Sequence, residues 1–526
     1  FMTSHSSELD MSPSEFREVG HELVEAIADF YASLPSRPVT PAETPAQIRE
    51  LIGIRPLPED GASAQALLRA AAPLLFDHSL HNGHPRFLGY ISSSAAPLGA
   101  LADLLAASVN ANVVKWDLSP VASEIESQTI RWIAELIGYP ADCGGIMVSG
   151  GNAANFLGFV AARKARVPWD IRDAGVYADS RRLTAYVSRE THTWIDKAAD
   201  VAGLGAGAVR WIDADGAQRL DVDALRKQIH ADRRAGRLPF LVVATAGTTS
   251  TGAIDPLPEI AAVCREENLW LHLDGAYGAP AAALSEAPSE LRALAQADSV
   301  ALDPHKWLYS PIEAGCVLTK DARALSDALS FEPSYYDSAE EAVSGIDFFQ
   351  HGMQNTRGFR ALKVWLTLQQ AGRAGIRRMI RNDIALAKRL FERAKERPDL
   401  EARTRSLSVT TFRYVPEDLR DRAGENRAYL DALNKALLSD IQKGGNAFLS
   451  NAIVDGDYLL RACFVNFRTR ESDVDRVLEL VSSKGRELDA RMRKPDCSGV
   501  APEGRPSQLR AAARGPGIGP PFELSI

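Results

Sequence analysis

Four short stretches set chemically capable residues just past apolar runs. LDPHKWLYS (302–310) holds Lys306 between His305 and Trp307, beyond Ser299-Val300-Ala301-Leu302. A lysine kept among bulky apolar neighbours is costly unless it is given a partner or a task. LHLDGAYG (271–278) ends an apolar run on Asp274, followed by the small residues Gly275 and Ala276. Thr191-His192 follows the run LTAYVS. SGGNAAN (149–155) carries a strand into Gly150 and Gly151 and then into a helical stretch. Small residues there let backbone N–H groups and a helix N-terminus approach an anion, most often phosphate. Each stretch also has a plain structural counterpart: a surface lysine, a helix cap, a hydrogen-bonded histidine, a tight turn.

Taken together, the four match what pyridoxal 5′-phosphate (PLP) requires. A lysine amine can form a Schiff base with its aldehyde, an aspartate can pair with its protonated ring nitrogen, and backbone amides can hold its phosphate. A carboxylate beside a pyridinium favours the charged form of both, and the charged ring is the better electron sink.

These residues need a scaffold that gathers strand ends. Short strand candidates are GGIMVS (144–149), LTAYVS (183–188), VRWI (209–212), PFLVVATA (239–246), LWLHLD (269–274), SVALD (299–303) and GCVLT (315–319), with helical stretches between many of them. Buried strands alternating with helices predict an α/β fold with a mainly parallel sheet covered on both faces. Ligands bind at the carboxyl ends of such strands. Upstream, 11–34 reads as an amphipathic helix, with Phe16, Val19, Leu23, Ile27 and Phe30 at helical spacing, and a proline-rich connector follows. Downstream, 358–396 reads as helical. SLSVTTFRYV (406–415) and YLLRACFVNF (458–467) alternate as strands, with helices around 427–442 and 472–486, to give a smaller α+β unit. The Pro/Gly/Ala-rich tail has no apolar period.

The bulk numbers exclude several classes. The 526 residues suffice for two to four domains of roughly 100–200 residues each. Apolar residues make up 45% and charged residues 24%, as in ordinary globular proteins. A net charge of −8 gives no nucleic-acid footprint. The five cysteines (143, 264, 316, 463 and 497) lack metal-ligand spacing and are odd in number, so neither a metal site nor a disulfide framework is expected. A reducing, cytoplasmic location follows. No apolar run is long enough to span a membrane, and no membrane partner is expected.

The motifs SEFREVGHELVEAIADF, HPRFLGY, SGGNAAN, ATAGTTSTGAIDP, HLDGAYG, DPHKWL and FRALKVWL, in that order, resemble those of the group II PLP-dependent amino-acid decarboxylases, nearest the aromatic-L-amino-acid branch. The resemblance runs from about 12 to 486. It implies a fold type I homodimer with an N-terminal helical segment (1–96) that clasps the partner subunit. A large PLP-binding domain (97–372), a small C-terminal domain (373–486) and a tail (487–526) would follow. It implies decarboxylation of an L-amino acid to its amine and CO2. It further implies Lys306 as the Schiff-base lysine, Asp274 as the ring-nitrogen partner, His192 stacked on the ring and Ala276 against its other face. Thr245 would orient the site, and Gly150, Gly151, Asn152 and His305 would surround the phosphate. Tyr335, in the polar stretch 331–351, would be the acid that protonates the α-carbon.

By the same resemblance, substrate choice would rest on two segments. HPRFLGYISSSAAP (84–97) would supply Tyr90, Ile91 and Ser92 to the side pocket, and NVVKW (112–116), from the partner subunit, would supply Asn112, Val114 and Trp116. A flat ring fits Val114, Trp116 and Tyr90, with Asn112 free to bond a phenol or indole N–H, so the expected substrate is tyrosine, DOPA, tryptophan or phenylalanine. The Asn112, Trp116, Asp117 pattern is closer to glutamate decarboxylases, and an acidic substrate would draw on Arg86, Lys115 or Arg357. An aminotransferase or aldehyde synthase on the same fold is the other alternative. The aminotransferase would need a carboxylate-gripping arginine in the small domain, where Arg461 stands.

Overall fold

The computed structural model describes residues 7–331 and 345–493. α1 (Pro13–Ser33) starts where the Ser12 side chain accepts the Glu15 N–H and Pro13 takes the first helical position. The proline-rich connector ends in a capping box between Thr44 and Gln47, which starts α2 (Pro45–Ile52). α3 (Ala64–Asp77) packs back on α1 through Phe30 and Phe76, stacked with centroids 4.6 Å apart. The N-terminal region is thus three helices rather than one. α4 (Pro97–Val109) and α5 (Pro120–Ile137) lead into the main sheet.

That sheet contains β1 (Gly144–Val148), β2 (Leu183–Ser188), β3 (Val209–Ile212), β4 (Leu238–Thr245), β5 (Trp270–Asp274), β6 (Ser299–Leu302) and β7 (Gly315–Thr319), in spatial order β1-β7-β6-β5-β4-β2-β3. Every pairing is parallel except the two made by β7. β2, β5, β6 and β7 are buried along their whole length, as strands covered on both faces must be. α6 (Gly151–Arg166) leaves the end of β1 and lies across the sheet centre.

The smaller unit is antiparallel: β8 (Leu400–Ser406), β9 (Val409–Tyr414), β10 (Ser450–Val454) and β11 (Asp457–Cys463), ordered β10-β11-β9-β8. Strands β8 and β10 are additions to the sequence reading. β8 (LEARTRS) is mostly polar and β10 is short, so neither carries a strong apolar pattern. The helix Ala361–Glu396 joins the two units and is broken at Gly372, where φ is 61° and ψ 166°. The last helix runs from Glu471 to Met492, past the 486 limit read from the sequence. Among the described residues no helix is long and apolar enough to cross a membrane, and no group of His, Cys, Asp and Glu could hold a metal ion.

Candidate active site

The chain past β6 turns sharply: the Lys306 N–H donates to the Asp303 carbonyl and the Tyr309 N–H to the Lys306 carbonyl. Trp307, Leu308 and Tyr309 all point inward and are at most 1% exposed. The Trp307 indole N–H and the Tyr309 hydroxyl both donate to Asp383 Oδ2, at 2.9 and 2.7 Å, and Trp307 stacks on Tyr277 with centroids 4.9 Å apart. Bulky neighbours therefore anchor the turn, while Lys306 itself opens on a cleft. The segment after HPRFLGY is sewn to the same turn: Ser93 Oγ donates to the His305 carbonyl and the Ala96 N–H to the Tyr309 carbonyl.

Neighbouring strand ends converge on this cleft. Thr245 and Asp274 are register partners at the ends of β4 and β5. The Asp274 carboxylate is buried and held on both oxygens, by the Trp194 indole N–H at 2.8 Å and by the Ala276 N–H at 3.2 Å. The Thr245 N–H donates to Asp255, a fully buried carboxyl that burial pushes up to about 6. His192 follows β2, and its Nδ1 accepts the Trp194 N–H at 3.3 Å.

Gly150 caps α6 at φ 149°, a conformation that suits glycine, and offers no side chain to the first N–H groups of the helix. A Cβ on Gly151 would lie 2.7 Å from Asp303 Oδ2 and 3.2 Å from the Ala276 methyl, so the helix start can approach the Lys306 turn only as glycine. His305 closes this side. Its Nδ1 donates to the Ala314 carbonyl at 2.7 Å, and burial lowers its affinity for a proton.

Gly151, Asn152, His192, Thr245, Asp274, Ala276, Lys306 and Ile91 all line one cleft. Gly150 and His305 stand beside it, 3.5 Å apart from a would-be Gly150 Cβ to His305 Cε1. The donor set suits PLP: a carboxylate for a ring nitrogen, uncapped helix N–H groups for a phosphate, small residues for a flat ring and an amine for an aldehyde. Tyr335 lies outside the described residues.

The substrate-pocket residues divide. Tyr90 is 56% exposed and not among the cleft's lining residues, with its N–H on Ser450 Oγ at 2.7 Å, and Ser92 is half-buried beside Ile91, which does line the cleft. Asn112, Val114 and Trp116 are not brought to the Lys306 cleft of the same chain. Val114 is buried, and Trp116 lines a separate cleft with its indole N–H on Glu124 at 2.9 Å. The reading of Asn112 as free for substrate needs correction at its side-chain Oδ1, which accepts the Arg357 backbone N–H at 2.9 Å. This whole segment is stapled to residues 345–357: the Trp116 N–H donates to Asp347 Oδ1 and the Phe349 N–H to the Val114 carbonyl.

The cations considered for an acidic substrate are already engaged. Arg357 is 1% exposed, pairs with Glu126 at 2.5 Å and donates to the Val113 and Met147 carbonyls; it is an internal strut, not a surface or interface residue. Arg86 donates to the Asn446 carbonyl at 2.7 Å, and Lys115 pairs with Asp117 at 3.2 Å. Arg461 is buried with Nη1 on the Thr249 carbonyl at 2.6 Å, and its Nε lacks a partner.

Sequence reasoning did not single out Asp303, Asn155, Glu190 and Thr249 at this cleft, or Trp194 behind Asp274. Two had a spacing signal. Asp303 stands three residues before Lys306, the reach of one turn. Asn155 stands one helical turn past Gly151.

Comparison with known proteins agrees with this geometry. The family described as "Pyridoxal-dependent decarboxylase conserved domain" matches residues 45–415. Aromatic-L-amino-acid decarboxylase of Bacillus atrophaeus is 34% identical over 92% of this chain and 98% of its own. Phenylacetaldehyde synthase of Petunia hybrida is 29% identical over 88% and 92%. The crystal structure of Oryza sativa TDC with PLP and tryptamine superposes with a TM-score of 0.85 at 27% identity, covering 92% of this chain and 99% of that one.

Proposed function

This chain belongs to the pyridoxal-dependent decarboxylase family, and on that premise we propose that it converts an aromatic L-amino acid to its amine and CO2 at the Lys306 cleft. It is a PLP-dependent carboxy-lyase. The observation that carries the site is the convergence of Lys306, Asp274, His192 and the α6 turn on one cleft.

When bound, PLP supplies an electron-withdrawing ring that accepts the electron pair left by the departing carboxylate. Lys306 would hold the group through its amine. Asp274 keeps a proton on the ring nitrogen, its orientation fixed by Trp194 and Ala276. Backbone N–H groups of Gly150, Gly151 and Asn152, with His305, hold the phosphate. His192, Ala276 and Thr245, the last fixed by Asp255, would help hold the ring. Tyr335 delivers a proton to the substrate α-carbon.

The aromatic substrate class is supported by the relatives' own specificities and by the engagement of Arg86, Lys115 and Arg357 elsewhere. A homodimer with Asn112, Val114 and Trp116 facing the partner's cleft is supported by exposed apolar residues on α2, α3 and α4, among them Leu51, Leu75, Leu101, Leu105 and Val109. A cytoplasmic location goes with four described cysteines that are all free.

The test is a panel of single aromatic and acidic amino acids given to PLP-loaded protein, with CO2, amine and hydrogen peroxide measured together. CO2 and amine from an aromatic substrate without peroxide is the expected result. Turnover of glutamate or aspartate alone would overturn the substrate class. Peroxide with aldehyde would move the chain toward the reaction named for the Petunia hybrida relative.

A further inference from the structure

Asp303 is the charged group nearest the Lys306 amine, and none of the roles assigned above uses it. Its Oδ2 lies 3.0 Å from Lys306 Nζ. The carboxylate is 2% exposed, and among the described residues its buried Oδ1 has no hydrogen-bond partner. The backbone holds it rigidly: the Asp303 N–H donates to the Ala276 carbonyl, and its own carbonyl accepts the Lys306 N–H. The other cation in reach is His305, whose Nε2 is 3.7 Å away. His305 spends its Nδ1 proton on the Ala314 carbonyl, and burial disfavours a second proton. A carboxylate this buried needs a cation, and the flexible lysine is the one supplied.

We propose that Asp303 is the docking partner of Lys306 in its displaced state, holding the lysine as an ammonium against the start of α6 whenever its nitrogen is not bonded to the cofactor. This rests on the reading of Lys306 as the cofactor-bonded lysine. In the exchange, a substrate ammonium takes over the C=N bond that Lys306 held to the cofactor's aldehyde carbon. The substrate nitrogen loses two protons, and Nζ gains two. A protonated C=N bond and an ammonium stand on each side, so charge balances. Lys306 emerges as a full ammonium, and Asp303 is placed to receive it. Asp303 thereby sets how readily an incoming amine evicts the lysine.

The test is a partition measurement. PLP-loaded wild type, Asp303→Asn and Asp303→Ala are equilibrated with 2-phenylethylamine and then reduced with borohydride. Mass spectrometry counts the cofactor fixed on Lys306 against that fixed on the amine. Both variants are expected to need about tenfold more amine for half-displacement, the ratio for losing one partly screened ion pair. Asparagine retains a hydrogen-bonding group and alanine does not, so agreement between the two assigns the effect to the charge. Any repulsion between Asp303 and the phosphate acts in both states and cancels in this ratio. Unchanged or easier displacement in both variants overturns the proposal. Cofactor fixed to a residue other than Lys306 in wild type sinks the site reading itself, a different failure.

Discussion

Asp383 offers the sharpest test of how the lysine turn is built. It lies on the Ala361–Glu396 helix, outside the cleft, and is fully buried. Its Oδ2 accepts both the Trp307 indole and the Tyr309 hydroxyl, the two anchors flanking Leu308 just past Lys306. Asp383→Ala would leave two donors, each at most 1% exposed, without an acceptor. Each orphaned donor costs about 1–3 kcal/mol, so the pair costs about 2–6 kcal/mol, and the turn loosens. Asp383→Asn keeps an oxygen in the same place and preserves the turn. The pH dependence carries a second signature. Burial pushes this carboxyl up to about 7, against the opposing bonds from Tyr309 and Trp307. The folded chain then keeps a proton that the unfolded chain gives up near pH 4. The resulting stability is present in full below about pH 4 and is lost as pH rises to about 7. The stability difference between Asp383→Asn and wild type therefore moves in favour of Asn across that window and is flat above it. Urea denaturation of PLP-loaded protein at several pH values, with dialysis to measure PLP retention, reads both effects. An alanine variant that loses less than about 1 kcal/mol, or an asparagine variant as damaged as the alanine one, would refute this account.

Tyr335→Phe is expected to lose amine formation and gain aldehyde and peroxide in the same product assay; unchanged amine output would remove Tyr335 from its role. Asp274→Asn should lower kcat for amine release by about 10²–10³, the usual loss when one preorganised charge is removed from a reaction centre; steady-state amine release checks it. Arg357→Met leaves Glu126 buried and unpaired and should cost about 3–5 kcal/mol in urea denaturation, whereas Arg357→Met with Glu126→Leu should recover most of that loss. Gly89→Ala pushes a methyl into the Phe448 ring and should raise KM by shifting the Tyr90–Ser92 segment, and Phe448→Ala in the same chain should restore it.

The central sheet was legible because strand burial leaves a direct trace in composition. β4 read as a largely apolar run and β5 as one interrupted by His272; the end of β5 announced Asp274, while Thr245 came from the family resemblance. Gly150 and Gly151 were legible because only a residue without Cβ tolerates φ 149° or the approach of Asp303. β7 read as a strand, but nothing in GCVLT encodes that it runs against both neighbours; direction comes from the connections. β8 escaped because three of its seven residues are charged and alternate with small ones. Asp303 escaped for another reason. In DPHKWL it has the spacing of a turn residue, and its pairing with Lys306 depends on a rotamer and on a close helix start, which a one-dimensional pattern does not record.

Substrate choice was hardest to read because the segments proposed to set it are held by unlike means. Ile91 reaches the cleft because Ser93 and Ala96 tie its segment to the lysine turn, while Leu88 ties it to the small sheet through the Phe448 and Cys463 backbones. That segment therefore bonds to both units at once, with Tyr90, Ile91 and Ser92 between its two sets of anchors. Asn112, Val114 and Trp116 instead share their anchors with residues 345–357, through Arg357, Asp347 and Phe349. Residues 345–357 directly follow the stretch that carries Tyr335. A substitution at Asp347 or Arg357 should consequently alter the segment 112–116 and the C-terminal flank of the proposed proton donor together, so kcat and KM should change in the same variant. Changes at Ile91 should move KM more than kcat.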